Sequence, residues 1–205
     1  TIFQGSQALK AENTNDHVTI TMKHKGTTST ITSKTAIAAD GVNSRIAENL
    51  GLNKNRKFFG NMQVITYYLK DVDCPHPPSW IVFLGKGHVP SGKGQMYFLP
   101  KPQKDGSTIY ELTLGGPSMG QSTLVEDLRW FLEEGNFSSW FKNAVITKKL
   151  SAVLKFYTPI TDPVAGRILI VGDAASYIEV YVQGALMYGY EAALSISKFL
   201  KEGSG

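Results

Sequence analysis

Cysteine is nearly absent: the 205 residues hold one, Cys74. No disulfide can form within the chain, which therefore reads as a protein of a reducing compartment such as the cytoplasm. Histidine is scarce too. His17, His24, His76 and His88 show no pair at ligand spacing, and with one cysteine there is no zinc pattern, so no metal is expected. Long apolar runs are missing: stretches such as Trp80 to Leu84 and Ile168 to Val171 fall far short of the roughly 20 residues needed to span a bilayer, and no integral membrane segment is expected. A strong excess of one charge is missing as well. Lys+Arg 21 against Asp+Glu 17 leaves +4, with Lys54, Arg56, Lys57 and Lys148, Lys149 the only local basic clusters. A nucleic-acid groove needs a stripe of such residues on one face, so no nucleic-acid partner is expected; a mild preference for anionic head groups or phosphorylated ligands stays open.

What is present fits a globular chain of one to two domains, 42% apolar and 19% charged. Thr1-Ile2-Phe3 lacks an initiator Met, a basic region and an apolar region, so the sequence is expected to be cut from something longer. Glu202-Gly203-Ser204-Gly205 suits a frayed end.

Residues 17 to 33 alternate polar and apolar around Lys25-Gly26, which predicts a hairpin. Ala36 to Ala39 is short and apolar on both faces, the look of a strand buried in a parallel sheet. Ser44 to Leu50, followed by Gly51, reads as a short helix with a glycine stop. Strands are expected over 62–70, 79–84, 95–99 and 108–114, an antiparallel sheet about four strands wide. Thr123-Leu124-Val125-Glu126 has the form of a capping box opening a helix through Leu132, halted by Gly135, with a second helical piece near 138–144. Arg167 to Val171 is an apolar strand, Gly172-Asp173-Ala174-Ala175 a glycine turn, and Gln183 to Leu200 a helix. Strand, glycine turn and helix make the half-unit of nucleotide-binding α/β sheets.

Two turns carry candidate chemistry. Gly172 permits a sharp bend at a sheet's carboxyl edge, Asp173 can accept hydrogen bonds from sugar-like hydroxyls, and small Ala174 and Ala175 admit a ligand close to the backbone. Taken alone, Asp173 reads equally well as a helix cap. Asp40-Gly41, also at a strand end with a helix behind it, is by itself a common turn. Both together, on strands more than a hundred residues apart, suggest one elongated ligand across a sheet edge.

Ala39-Asp40-Gly41-Val42-Asn43-Ser44-Arg45 resembles the Asp-Gly motif of flavin-dependent oxidoreductases of the aromatic-hydroxylase and geranylgeranyl-reductase superfamily. Gly172-Asp173-Ala174-Ala175 followed by Gln183-Gly184-Ala185 resembles their Gly-Asp motif. Tyr97-Phe98-Leu99-Pro100-Lys101, then Gly106 and a strand ending Gly115-Gly116, looks like the strand pair on the flavin's substrate side in the geranylgeranyl-reductase branch. The likeness covers roughly residues 10 to 200. It implies FAD as cofactor, with Asp173 on the ribityl chain beside Gly172 and Ala174. Asp40 and Gly41 fall near the pyrophosphate, Ser44 and Arg45 in the same cofactor-binding set, and Gln183, Gly184 and Ala185 at the pyrimidine edge. Tyr97, Pro100 and Lys101 become the substrate pocket.

The resemblance implies an α/β fold: a partial FAD-binding sheet (1–52 and 161–205) with an inserted antiparallel substrate domain (53–160, helices near 123–144). The implied function is hydride or electron transfer through FAD to a small, lipid-like substrate, with reduction of a C=C bond in an isoprenoid or lipid leading. A flavin monooxygenase of an aromatic compound and a non-catalytic ligand-binding module are the alternatives; the redox donor is left open, and the location is cytoplasmic or peripheral at a membrane. Two departures stand out. Glu179-Val180-Tyr181-Val182-Gln183-Gly184 lacks the family's proline and glycine-rich turn, and no Gly-x-Gly-x-x-Gly unit precedes Asp40. This chain alone is accordingly expected to bind FAD weakly or not at all. No catalytic residue is assigned; Glu179, in place of a family proline, is the acid to watch, against a plain solvent role. Gly87 to Gly94 mimics a phosphate loop but lacks its Ser/Thr and is followed by a strand, so a hairpin loop is expected. The histidines are expected at the surface, Cys74 as a spectator thiol, and tyrosines 177, 181, 188 and 190 as pocket border or packing.

Overall fold

A computed structural model describes residues 1–117, 121–176 and 181–202, in two units: Thr1–Phe59 with Lys155–Gly205, and Gly60–Leu154. The fold is mixed α/β and dominated by antiparallel sheets. Among the described residues a single strand pair is parallel.

The first unit opens on a three-stranded antiparallel meander, β1 (Ser6–Asn13), β2 (Val18–His24) and β3 (Thr27–Ser33), in that order. Lys25 and Gly26, both at positive φ (49° and 89°), close the expected hairpin, since a two-residue turn with both φ values positive follows the twist of the strands. β1 carries no readable alternation, because Ser6-Gln7-Ala8-Leu9 runs its polar and apolar residues in pairs and a bulge between Ala8 and Lys10 breaks the period. The chain then enters a second sheet through β4 (Ala36–Ala38), which pairs in parallel with β11 (Ile168–Ile170), itself paired with β10 (Val164–Ala165). The expectation of two buried faces for β4 needs correction. Ala38 is buried but Ile37 is 46% exposed, because β4 is an edge strand.

Helix α1 (Arg45–Asn49) follows, and Ser44 caps it: its hydroxyl accepts the Ala47 N–H at 2.9 Å while Ile46 and Ala47 are buried. Ser44→Ala is expected to cost about 1 kcal/mol, read as a lowered urea midpoint at unchanged slope; no shift would mean that the cap is not used. Helix α3 (Tyr181–Glu202) closes the unit. Its Ala192 is buried, whereas Leu186, Met187 and Tyr190 are exposed. The unit's core gathers Val18, Ala38, Ile46, Ile168, Ile170 and Ala174.

The second unit is built on a five-stranded antiparallel sheet, one strand more than expected. β5 (Phe58–Lys70), β6 (Ile81–Phe83), β7 (Gln95–Pro102), β8 (Thr108–Pro117) and β9 (Val145–Tyr157) stand in the order β6-β7-β8-β5-β9. β9 has no signature in the sequence because paired lysines interrupt Val145-Ile146-Thr147-Lys148-Lys149-Leu150 and most of its side chains are exposed. Helix α2 (Gln121–Glu133) already contains Thr123 as its third residue, so Thr123 is no N-cap and the capping-box reading is corrected. Past Gly135 the helical piece is a 3-10 turn at Ser138–Phe141 and not a helix to 144.

Leu124, Leu128 and Phe131, at helical spacing on α2, pack on one face of this sheet against Phe83, Met96, Phe98, Leu112 and Leu114. Aromatic edges seal the layer: Phe83 meets Phe131 at 4.8 Å and Phe98 stacks on Tyr110 at 4.6 Å between centroids. The 85–94 segment is the expected hairpin loop between β6 and β7, pinned by Val89 in the core and by Ser91, whose N–H and hydroxyl donate to the buried Asp127 carboxylate. His88 is not the surface residue expected: its ring lies against Phe83 and Phe137, with Nδ1 buried. Cys74 packs beside the core. Among the described residues no helix is long and apolar enough to cross a membrane, and no group of His, Cys, Asp and Glu could hold a metal.

Candidate functional site

The two acid-bearing turns leave adjacent parallel strands. Ala38 of β4 is in register with Ile170 of β11, and the Val171 N–H donates to the Ala38 carbonyl at 3.0 Å. Asp40 and Asp173 therefore follow the same end of one strand pair, the carboxyl edge at which open α/β sheets bind ligands. Each turn needs a left-handed residue, Gly41 at φ 78° and Gly172 at φ 61°. A Cβ placed on either glycine would meet nothing within 4 Å, so open space lies over both.

The carboxylates are used differently. Asp40 is exposed, and its Oδ2 accepts the Ile46 N–H at 3.3 Å. With Ser44, it builds the turn into α1; Arg45 next to it is exposed. Asp173 is half-buried and, among the described residues, neither hydrogen-bonded nor ion-paired, and burial pushes its carboxyl above the ordinary carboxylate range. Three residues on, Ser176 Oγ is buried with no partner among the described residues. The half-buried Asp173 carboxyl, next to a glycine with open space over it, is the group of this turn that a ligand can complete.

Arg56, which in the sequence is one member of a basic cluster like any other, holds this turn from behind. Its Nε donates to the Thr158 carbonyl at 2.6 Å, and its terminal nitrogens reach Asn53 Oδ1 at 3.0 Å and the Ala174 and Ala175 carbonyls at 3.4 Å each. The guanidinium stacks 4.9 Å from the Tyr157 ring centre, and burial lowers its pKa. Its fork fixes three carbonyls at once, which a lysine cannot do. No pattern in Lys54-Asn55-Arg56-Lys57 distinguishes the one inward cation.

Gly184 and Ala185 lie in the first turns of α3, half-buried and exposed respectively. Gln183 belongs to the same turn, but its side chain, like Tyr177 and Glu179, lies outside the described residues.

In the second unit the expected pocket residues divide. Alternation along β7 sends Met96 and Phe98 into the core, Pro100 to that same side, and Tyr97, Leu99 and Lys101 to the opposite face. Only Tyr97 and Lys101 of the expected three therefore share a surface. That surface also carries residues whose alternation is readable in the sequence but whose partners are not. Thr66 and Thr113 hydroxyls meet at 2.8 Å, Thr113 donates to Glu111 Oε1 at 3.2 Å, and Glu111 Oε2 pairs with the Lys101 ammonium. A polar line thus crosses β5, β8 and β7. Chiefly through the hydrogen bond to Glu111, the Lys101 pKa is raised. Trp80 lies 6.0 Å from Tyr97, and Val82 is paired with it across the ladder.

A parallel strand pair ending in two glycine-hinged acidic turns, one acid without a partner among the described residues, has the carboxyl-edge arrangement at which α/β sheets that bind dinucleotides take their ligands. The chain belongs to the FAD binding domain family, whose pattern matches residues 1–129. Over 177 residues it is 24% identical to digeranylgeranylglycerophospholipid reductase 1 of Methanococcoides burtonii, covering 85% of this chain and 40% of that protein. Over 187 residues it is 24% identical to the digeranylgeranylglycerophospholipid reductase of Methanocaldococcus jannaschii, covering 91% and 46%. The chain thus spans less than half the length of these curated relatives. Among solved structures, a geranylgeranyl bacteriochlorophyll reductase-like protein from Thermoplasma acidophilum superposes with a TM-score of 0.74 at 19% identity, covering 97% of this chain and 49% of that one. A flavin-dependent halogenase superposes at 0.65 and 18% identity, covering 97% and 36%.

FAD is the family's cofactor, and the first unit's residues fit it. Gly172 and Gly41 leave room at the strand ends, and Asp173 offers a carboxyl that nothing described in the chain satisfies.

Proposed function

We propose that this chain is part of an FAD-dependent oxidoreductase that reduces C=C bonds of an isoprenoid lipid. FAD, when bound and reduced, would supply the hydride, and water the proton that completes the saturated bond. In this reading Asp173 accepts hydrogen bonds from the ribityl hydroxyls, with Gly172 and Ala174 allowing close approach, and Asp40 and Gly41 lie by the pyrophosphate with Ser44 and Arg45 building that turn. Gln183, Gly184 and Ala185 approach the ring's pyrimidine edge. The second unit, an antiparallel insertion in the FAD-binding sheet, takes the substrate on the sheet face bearing Tyr97 and Lys101. The observation that carries the reading is the unpartnered Asp173 carboxyl beside open space, one strand away from the Asp40 turn, in a chain of the FAD binding domain family. The reductase relatives, matched over more than four fifths of the chain, support the lipid as substrate.

The test is anaerobic. The full-length protein to which this chain belongs, loaded with FAD and reduced by dithionite, is given a digeranylgeranylglycerophospholipid, and the lipid is weighed by mass spectrometry. Gain of two hydrogens for each saturated double bond is expected. An unchanged lipid, together with oxygen uptake and one added oxygen atom on an aromatic substrate, would replace this reading with a monooxygenase, the class to which several solved structures of the same fold belong.

A further inference from the structure

We infer that Lys101 and Lys148 form a seat for a phosphate ester, the head of the lipid, on the sheet face of the second unit that α2 does not cover; the inference rests on the function proposed above. Both ammonium groups are gathered over one aromatic ring: Lys101 Nζ lies 5.2 Å and Lys148 Nζ 5.7 Å from the centre of Tyr68. They come from opposite sides, Lys101 from β7 and Lys148 from β9, with β8 and β5 between. With both ammonium groups near the centre of one ring, an anion seated on that ring is within reach of both charges.

Glu111 does not cancel the seat. Its carboxylate holds Lys101 in place and is itself held by Thr113. Among the described residues Lys148 has no carboxylate partner, so the trio keeps one positive charge. The ring below shields the ammonium groups from water on one side, which strengthens their pull on an anion above.

The surroundings favour a lipid head over an isolated ion. Leu99 stands between Lys101 and Tyr97 on the same face, with Val82, 43% exposed, opposite Tyr97 on β6 and Trp80, 55% exposed, packed beside Tyr97. From Lys101 to Tyr97 the strand runs roughly 13 Å, apolar on its β6 side and bordered on its β8 side by Glu111 and Thr113. Such a surface matches a molecule with a phosphate at one end and a hydrocarbon chain behind it.

The test compares geranylgeranyl phosphate, geranylgeraniol and inorganic phosphate, titrated calorimetrically into wild type and Lys148→Glu. Lys148 is exposed, so folding is not at stake, and Lys148→Gln with a urea midpoint checks this. The phosphate ester is expected to bind wild type about tenfold tighter than the alcohol, a gap of about 1.4 kcal/mol. Lys148→Glu is expected to abolish the gap while leaving the alcohol's affinity unchanged, and added salt to shrink it in wild type. Equal binding of ester and alcohol overturns the seat but leaves the isoprenoid reading standing. Inorganic phosphate binding as tightly as the ester, with no binding of the alcohol, keeps an anion site and overturns its assignment to a lipid. No binding of any of the three overturns both.

Discussion

Asp173→Asn is expected to weaken FAD binding by about ten- to a hundredfold and, at neutral pH, to raise the stability of the cofactor-free chain. The first effect follows from the reading of Asp173 as the ribityl acceptor: hydrogen bonds to a charged group contribute about 1.5–3 kcal/mol, and an amide replaces the carboxylate with a weaker, partly donating group. The second follows from burial. Desolvation raises the folded carboxyl above its ordinary value of 3.8, and no described residue compensates. The folded chain then binds the proton more tightly than the unfolded chain, so stability falls as pH rises from about that ordinary value through the raised one. Above the raised value the whole penalty is present; below the ordinary one it is gone. A neutral amide at this position carries no such penalty, so the variant's advantage should be seen at about pH 7 and vanish near pH 3, in urea titrations run across that range. FAD affinity is read by quenching of flavin fluorescence in the full-length protein to which this chain belongs. Unchanged affinity would remove Asp173 from the cofactor site, and a variant less stable than wild type at neutral pH would show that the carboxylate has a partner inside the fold.

Arg56→Ala is expected to destabilise the first unit by about 3 kcal/mol and to weaken FAD binding with it. The guanidinium reaches three carbonyls, at Thr158, Ala174 and Ala175; the Ala175 carbonyl keeps the Ile160 N–H at 2.9 Å, but removing the guanidinium takes this donor from the Thr158 and Ala174 carbonyls, each costing about 1–3 kcal/mol less whatever water can restore. Arg56→Lys should recover little, since one ammonium cannot span the same acceptors. Thermal unfolding followed by circular dichroism measures the stability, and FAD titration at a temperature where the variant is folded measures the turn. A variant as stable as wild type would show that the guanidinium is not needed to hold the Gly172–Ala174 turn.

Asp173 and Arg56 differ in how far a linear reading can reach them. Asp173 announces itself because a glycine, an acid and two alanines follow an apolar strand; the pattern is local and its chemistry is local. Arg56 sits among charged neighbours that look alike, and only its partners 102 to 119 residues away in sequence separate it from them. Alternation predicts four of the second unit's strands, yet β9 is invisible to it because most of its side chains stay wet and its identity as a strand comes from a neighbour. Thr123 shows the converse error: a capping pattern inside a helix has no meaning when the helix begins earlier. Proximity in the chain groups Pro100 with Tyr97 and Lys101, but a period of two places it on the other side of the sheet.

From sequence alone came the glycine-hinged acids, the apolar strands before them and the helix after the second, because backbone torsions and short-range hydrogen bonding are set by neighbouring residues; the cofactor was implied by the resemblance of these motifs to a flavoprotein family. Tertiary structure alone decided that β4 and β11 lie side by side, that Arg56 points inward, and that Lys101, Lys148 and Tyr68 share one surface. Pairing between distant strands depends on which faces the whole chain can bury together, a condition that no stretch of sequence states by itself.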